Sequence, residues 1–320
     1  MKTEKSSMIN HVVRFVKYKQ SLGFKYETES SNLVSFAKYA DRYWTGMPLS
    51  VEMARRWIAT KPNIKPTTKL HLFSCLREFA KYLKVDQFDV ELIPKSVYTV
   101  WYRRVTPYVY SNQEISLIMS TEPNIPENTF DRLTNKTIIG LLICTGMRIG
   151  EALALKKNDV DFSKGIVTVR QFKKMPMRLI PVSESAMNQL VQYSQKRESL
   201  HKTSKCDSFF VNSKGTTVIY NTFKDAWKRL MKTIGLTNGD KIPRVHDFRH
   251  TFACNLLLRA YRENRDIDDA IYMLSVYLGH TVIAGTYWYL SAVPELLEMC
   301  VNRVEENLLK RKKGGRNENQ

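Results

Sequence analysis

The sequence predicts a mainly α-helical protein with one small antiparallel β-sheet, an α+β arrangement in two parts. Three observations lead there. Apolar residues recur at helical spacing through residues 8–105, with no convincing strand alternation. A basic stretch around Arg103, Arg104 and Pro107 lacks helical period and breaks the chain at about 100–111. Beyond it, helical segments are interrupted by two β-rich runs, 166–172 and 177–182, with a turn at 173–176 between them. A chain of 320 residues suits two domains of ordinary size.

In the first part, Met8, Ile9, Val12, Val13 and Val16 share one helical face. Ser50 is placed to cap a helix running through Trp57. Pro66 stands where a helix can start, and Leu70, Phe73, Leu76, Ala80 and Leu83 give the helix behind it an apolar stripe. In the second part, Ser111 with Glu114 reads as a capping box. An apolar helix is expected over 130–145, stopped near Gly146, with a short helix from Arg148 to Leu155. Further helices are expected at about 184–198, 221–234, 246–261 and 267–278, and 208–211 reads as a further strand edge. The domains are therefore expected at 1–105 and 106–293. In the tail at 294–320, Leu297, Val301, Val304 and Leu308 repeat at heptad-like spacing.

The composition is ordinary for a globular protein, with 43% hydrophobic and 25% charged residues, but the charge balance is not. There are 50 Lys+Arg against 31 Asp+Glu, or +19 at pH 7. Residues 1–105 carry 19 basic and 9 acidic side chains (+10), and the remainder 31 and 22 (+9). A surplus spread over both parts points to a polyanion that both touch, rather than to a basic tail. DNA is the first candidate, because neutralising phosphates releases condensed counterions. Cys75, Cys144, Cys206, Cys254 and Cys300 form no C-x-x-C pair, which suits a reducing compartment without disulfides or structural zinc. The N-terminus has no apolar run of signal-peptide type. The longest apolar run, 138–144, is too short for a bilayer, which takes about 20 residues. A cytoplasmic protein without membrane association is expected.

Four separated segments carry side chains suited to one chemistry. Thr145-Gly-Met-Arg148-Ile-Gly-Glu151 puts an arginine just after a glycine break, where a helix N-terminus adds positive potential and the guanidinium fork can clamp two phosphate oxygens. Lys173 or Lys174 lies in the turn between the two β-runs, where an ammonium can protonate a leaving alkoxide. In His246-Asp-Phe-Arg249-His250, residues 246 and 249 share a helical face, setting an imidazole beside a guanidinium. Leu278-Gly-His280 reads as a helix C-terminus with glycine at its end, followed by Tyr287-Trp-Tyr289. Each segment alone has a plainer explanation, as surface arginine, turn lysine, core histidine or core aromatic. Together they supply what metal-free phosphoryl transfer needs. Arginines neutralise the phosphorane, a lysine protonates the leaving oxygen, a histidine handles the nucleophile's proton, and a tyrosine attacks. There is no G-x-x-x-x-G-K-[ST] loop, H-E-x-x-H or Cys/His cluster, so no nucleotide or metal cofactor is expected.

The order Arg148, turn lysine, His246-x-x-Arg249, Leu-Gly-His280, Tyr289 resembles the tyrosine recombinases: phage integrases, Xer-type resolvases and Cre-like enzymes. In that family the tyrosine follows the Leu-Gly-His histidine by nine residues, as Tyr289 does, although Tyr287 stands close by. The interval to the Ile-Pro of the second β-run favours Lys173 over Lys174. The resemblance is strong over 110–292. Over 8–100 it extends only to type, a basic helical core-binding domain.

The resemblance implies a site-specific recombinase that grips double-stranded DNA in a two-domain clamp and cuts it through a 3′-phosphotyrosine bond. Arg148 and Arg249 would hold the scissile phosphate, Lys173 would be general acid for the 5′-oxygen, and His246 general base or acid. His280 would hydrogen-bond the phosphate, Glu151 would orient the site, and Tyr289 would be nucleophile. No metal or ATP would be needed. It also implies a homo-tetrameric synapse with tail 294–320 exchanged between protomers, accessory DNA-bending or partner recombinase proteins, and action at the bacterial nucleoid. The block Gly285–Pro294 resembles a transposon-borne branch. Two other readings remain, a type IB topoisomerase that relaxes supercoils and an inactive DNA-binding relative. The target sequence, and the choice among integration, excision and resolution, lie outside what the chain spells out.

Overall fold

A computed structural model describes residues 7–43, 49–100, 107–121, 129–170, 177–202, 205–237, 239, 241–280, 282–292 (290–292 as backbone), 298 and 301. The chain divides into two compact units, Met1–Val105 and Thr106–Gln320. Among the described residues it is mostly helical, with one three-stranded antiparallel sheet, and no helix is long and apolar enough to cross a membrane.

The first unit holds α1 (Met8–Ser21), α2 (Glu27–Tyr43), α3 (Val51–Ala59) and α4 (Pro66–Val85). Local chemistry sets their starts. The Ser7 and Ser50 side chains accept from the backbones of Ile9 and Met53, and Pro66 opens α4 with its φ already helical. One core joins Val12, Phe15, Leu33, Phe36, Trp57, Leu76 and Phe79 across the four helices.

The second unit begins earlier than its first helix. The end of the expected linker is anchored: the Tyr110 N–H donates to Thr251 Oγ1, and its ring stacks on Phe248 at 4.5 Å. The helix α5 (Asn112–Ser120) follows the Ser111–Glu114 capping box. Next come α6 (Thr129–Thr145) and the short α7 (Ile149–Leu153). The sheet is β1 (Val160–Asp161), β2 (Ile166–Val169) and β3 (Arg178–Pro181), in that order. Val167 pairs with Ile180 and Val169 with Arg178, so Val167, Val169 and Ile180 enter the core together. Residues 171–176, including Lys173 and Lys174, lie outside the described residues.

The remaining helices are α8 (Glu184–Leu200), α9 (Tyr220–Ile234), α10 (Asp247–Arg262), α11 (Ile267–Leu278) and α12 (Ala284–Ala292). The segment 208–211 forms only two isolated bridges, Lys156 with Ser208 and Val211 with Thr217. Phe209, Phe210 and Val211 are all buried there, so their apolar run reflects burial on both sides rather than a strand's alternation. Helix α12 follows α11 after a sharp turn at Gly279 and packs on α10 and α11. Their shared core includes Cys254, Leu257, Ile271, Leu274, Leu278 and Tyr289. Cys75, Cys144, Cys206 and Cys254 are free thiols. Of the tail, 294–297, 299–300 and 302–320 lie outside the described residues.

Candidate active site

The site is assembled where helices end. Helix α6 stops at Gly146, whose φ of +60° puts it in the left-handed region. A Cβ there would sit 2.7 Å from the Phe252 ring, so any other residue would force that ring to shift as well as straining the backbone. The turn delivers Arg148 to the N-cap of α7. Its backbone N–H donates to Glu151 Oε2 at 2.9 Å, and its Nη1 to Oε1 at 3.0 Å. Arg148 stays partly open to solvent, while the Glu151 side chain is fully covered. Burial would raise the Glu151 pKa, but hydrogen bonds from Arg178 and Arg148 outweigh it and hold the carboxyl below its usual value.

Helix α11 stops in the same way. Gly279 has φ +67°, the His280 N–H returns to Ser275 O and the Gly279 N–H to Val276 O, closing a Schellman turn. His280 Nδ1 meets Thr286 Oγ1 at 2.7 Å, with Thr286 buried on α12, which leaves Nε2 as the ring nitrogen available to a ligand. Burial, then Arg249, Arg148 and Arg178, push the His280 pKa down to about 4.

Arg249, on the first turn of α10, ties the two stops together. It is 2% exposed, and donates from Nη1 to Gly146 O at 3.1 Å and from Nη2 to Leu278 O at 2.7 Å. Both carbonyls sit at helix C-termini, where the backbone lacks its own donors and the helix dipole is negative. Burial and the charge of Arg148 lower its pKa to about 10. His246, at the N-cap of α10, is open to solvent on one side. Packing on its other side, then the charges of Arg249 and Arg244, lower its pKa and so favour the neutral imidazole.

Helix α12 separates the two tyrosines. Residues two apart on a helix point roughly 200° apart, so one must face in and the other out. Tyr289 is 3% exposed; its ring lies 5.4 Å from His250 and 6.2 Å from His280. Burial raises its pKa above 10, while the charge and N–H donors of Arg249 pull the other way. Tyr287 is 44% exposed, and its hydroxyl reaches Asp268 Oδ1 at 3.3 Å, away from the cations.

Arg148, Glu151, Arg249, His246, His280 and Tyr289 thus share one neighbourhood, and Lys173 falls outside the described residues. Two further side chains belong to it that motif spacing passed over. Arg178 of β3 donates from Nη2 to Glu151 Oε2 at 2.7 Å. His250 lies between His246, 5.1 Å away centroid to centroid, and Tyr289, and its Nδ1 is buried without a partner among the described residues. Both had a sequence signal. Arg178 is a charge in register with core-facing Ile180, and His250 repeats His246 at i+4. A cavity of about 640 Å³, lined by Phe130, Leu133, Trp227 and Leu230 among others, contains none of these arginines or histidines.

The sequence profile of the phage integrase family matches residues 109–295, more than half of the chain and the whole of this constellation. The chain belongs to the phage integrase family. This integrase is a tyrosine recombinase, an enzyme that breaks and rejoins DNA. It is 30% identical over 302 residues to an integrase/recombinase of Sinorhizobium fredii, covering 92% of this chain and 96% of that one. With the tyrosine recombinase XerD of Vibrio cholerae it shares 27% identity over 256 residues, 77% of each chain. Its fold is similar to that of the XerH site-specific recombinase solved with difH substrate (TM-score 0.60, 21% identity, 86% of this chain and 77% of that one). It is also similar to the Tn1549 transposon integrase solved with transposon right end DNA (TM-score 0.63, 16% identity, 94% and 99%).

Proposed function

We propose that this recombinase cuts DNA by attack of the Tyr289 phenol oxygen on a phosphodiester, which Arg148 and Arg249 hold by its non-bridging oxygens. The bond from phosphorus to the tyrosine oxygen forms as the bond to the 5′-oxygen breaks, leaving a 3′-phosphotyrosine. Neutral His246 accepts the phenol proton, His280 Nε2 hydrogen-bonds the phosphate, and Lys173 protonates the departing 5′-oxygen. Glu151 orients Arg148. The covalent bond conserves the phosphodiester's energy, so a 5′-hydroxyl from another duplex can reverse the step without ATP or metal. The supporting observation is the division of labour on α12. Tyr289 is enclosed among Arg249, His250 and His280, and Tyr287 is turned out to Asp268.

On this reading, residues 1–105 form the core-binding half and 106–293 the catalytic half of a clamp on double-stranded DNA. Four copies assemble on paired sites at the bacterial nucleoid, in the cytoplasm, with tail 294–320 exchanged between protomers and with DNA-bending or partner recombinase proteins assisting. Exposed Tyr272, Met273 and Val276 on α11 and Val282 and Ile283 before α12 offer an apolar face for such contacts. The likeness to a transposon integrase supports a mobile-element role, which a partner site lying on the chromosome rather than at an element end would refute.

The test is a library of nicked suicide duplexes of randomised sequence, with adducts trapped in detergent and the bound DNA sequenced. Wild type and Tyr287→Phe should give covalent adducts and Tyr289→Phe none. Adducts from Tyr289→Phe, or none from wild type, would refute the reading. Strand exchange between two recovered sites, against relaxation of any supercoiled plasmid, separates a recombinase from a topoisomerase.

A further inference from the structure

Arg178 is a charged side chain on a strand face that otherwise enters the core. On β3 the residues alternate, with Ile180 buried, Leu179 and Pro181 exposed, and Arg178 in register with Ile180. Its side chain is nine-tenths buried. Nη2 donates to Glu151, whereas Nε and Nη1 are buried with no partner among the described residues. Covered N–H groups without acceptors are costly, so an apolar residue would serve the core better here.

The geometry at Glu151 suggests what offsets that cost. Oε1 accepts from Arg148 Nη1, while Oε2 is taken by the Arg148 backbone N–H and by Arg178 Nη2. The Arg148 guanidinium therefore holds this carboxylate through one nitrogen only. An arginine and a carboxylate left to themselves favour the two-pronged pair, in which the fork spends two parallel N–H bonds on one partner. An Arg148 closed on Glu151 in that way would have little of its fork left for phosphate. Arg178 also contributes to the low pKa of His280 and of Arg249, so its charge faces the same space.

We propose that Arg178 is a positioning residue of the cleavage site: by occupying Oε2 of Glu151 it keeps Arg148 from closing a bidentate pair, and so holds the Arg148 fork open for the scissile phosphate. This rests on the reading of Arg148 as a phosphate clamp. The same bond fastens β3 to α7.

The experiment uses the full chain and a nicked duplex recovered from the selection above, measuring single-turnover adduct formation alongside affinity by mobility shift. Arg178→Gln should slow adduct formation about 10- to 100-fold, the range expected for a misplaced catalytic group, with DNA affinity little changed. Arg178→Lys, which can still donate to Oε2, should stay near wild type. The double variant Arg178→Gln with Glu151→Gln should be faster than Arg178→Gln alone, because removing the carboxylate's charge frees Arg148. A purely structural role would make the double variant slower. Wild-type rates for Arg178→Gln, or a double variant slower than the single one, would overturn the proposal while leaving the Tyr289 assignment standing. If Arg178→Gln does not fold, Arg178→Lys decides: a loss of about 100-fold or more overturns the proposal. Adducts from Tyr289→Phe would overturn the underlying reading and this inference with it.

Discussion

Replacing Arg249 with methionine separates two roles that its position could serve. The guanidinium donates to Gly146 O and Leu278 O, and its loss leaves two helix-end carbonyls unmatched, at about 1–3 kcal/mol each. Against this stands the cost of keeping it charged. A pKa lowered from 12.5 to about 10 means that the charged form is disfavoured by about 3 kcal/mol relative to water, through burial and the nearby Arg148. The opposing contributions largely cancel, so Arg249→Met is predicted to change unfolding free energy by no more than about 3 kcal/mol. Adduct formation should fall by about 10²–10³-fold or more, as expected when a preorganised donor to a developing phosphorane is removed. Urea denaturation followed by circular dichroism gives the first quantity, and single-turnover trapping on a nicked duplex gives the second. A variant destabilised by more than about 4 kcal/mol would make Arg249 a structural pillar whose energetics have been misjudged. A stable variant that cleaves within about tenfold of wild type would remove it from the phosphate site.

Three further outcomes can be checked. Gly146→Ala forces a Cβ against the Phe252 ring at positive φ and should cost about 2–4 kcal/mol, whereas Gly235→Ala, at φ +66° in open space, should cost about 1–2; equal losses in thermal or urea unfolding would refute the steric argument. His280 and His250 have pKa values lowered to about 4, so the unfolded chain binds more protons below pH 6.5. Stability of the DNA-free protein should therefore fall as pH drops from about 6.5 towards 4, by about 1 kcal/mol per histidine at pH 5 after allowance for solvent, and His280→Gln should flatten that profile. Deleting 294–320 should leave single-site DNA binding intact but weaken synapsis, and unaltered recombination by the truncated chain would count against tail exchange.

Much of this protein is legible along the chain because the relevant physics is local. The Ser111–Glu114 box, Pro66 at the head of α4 and the glycine stop after Leu278 depend on neighbours within a few residues, and each marks an element boundary in the fold. The paired β-runs are legible for the same reason, since period-two alternation is a property of one strand. The segment 208–211 misled because a run buried on both sides has no period to read.

The sequence alone determined the residue types and their order: two arginines, a Glu151 three residues after the first, two histidines, and a tyrosine nine residues beyond Leu-Gly-His. It could not determine which partners meet. Arg249 bonds carbonyls 103 and 29 residues away, and Arg178 shares a carboxylate with an arginine 30 positions earlier. Hydrogen-bond pairing across such separations is fixed only when helices and strands pack. Tyr287 and Tyr289 lie on opposite sides of any helix that contains both. Docking of α12 on α10 and α11 decided which side is inside, because one ring fills the shared core while the other hydroxyl can still reach Asp268 in solvent.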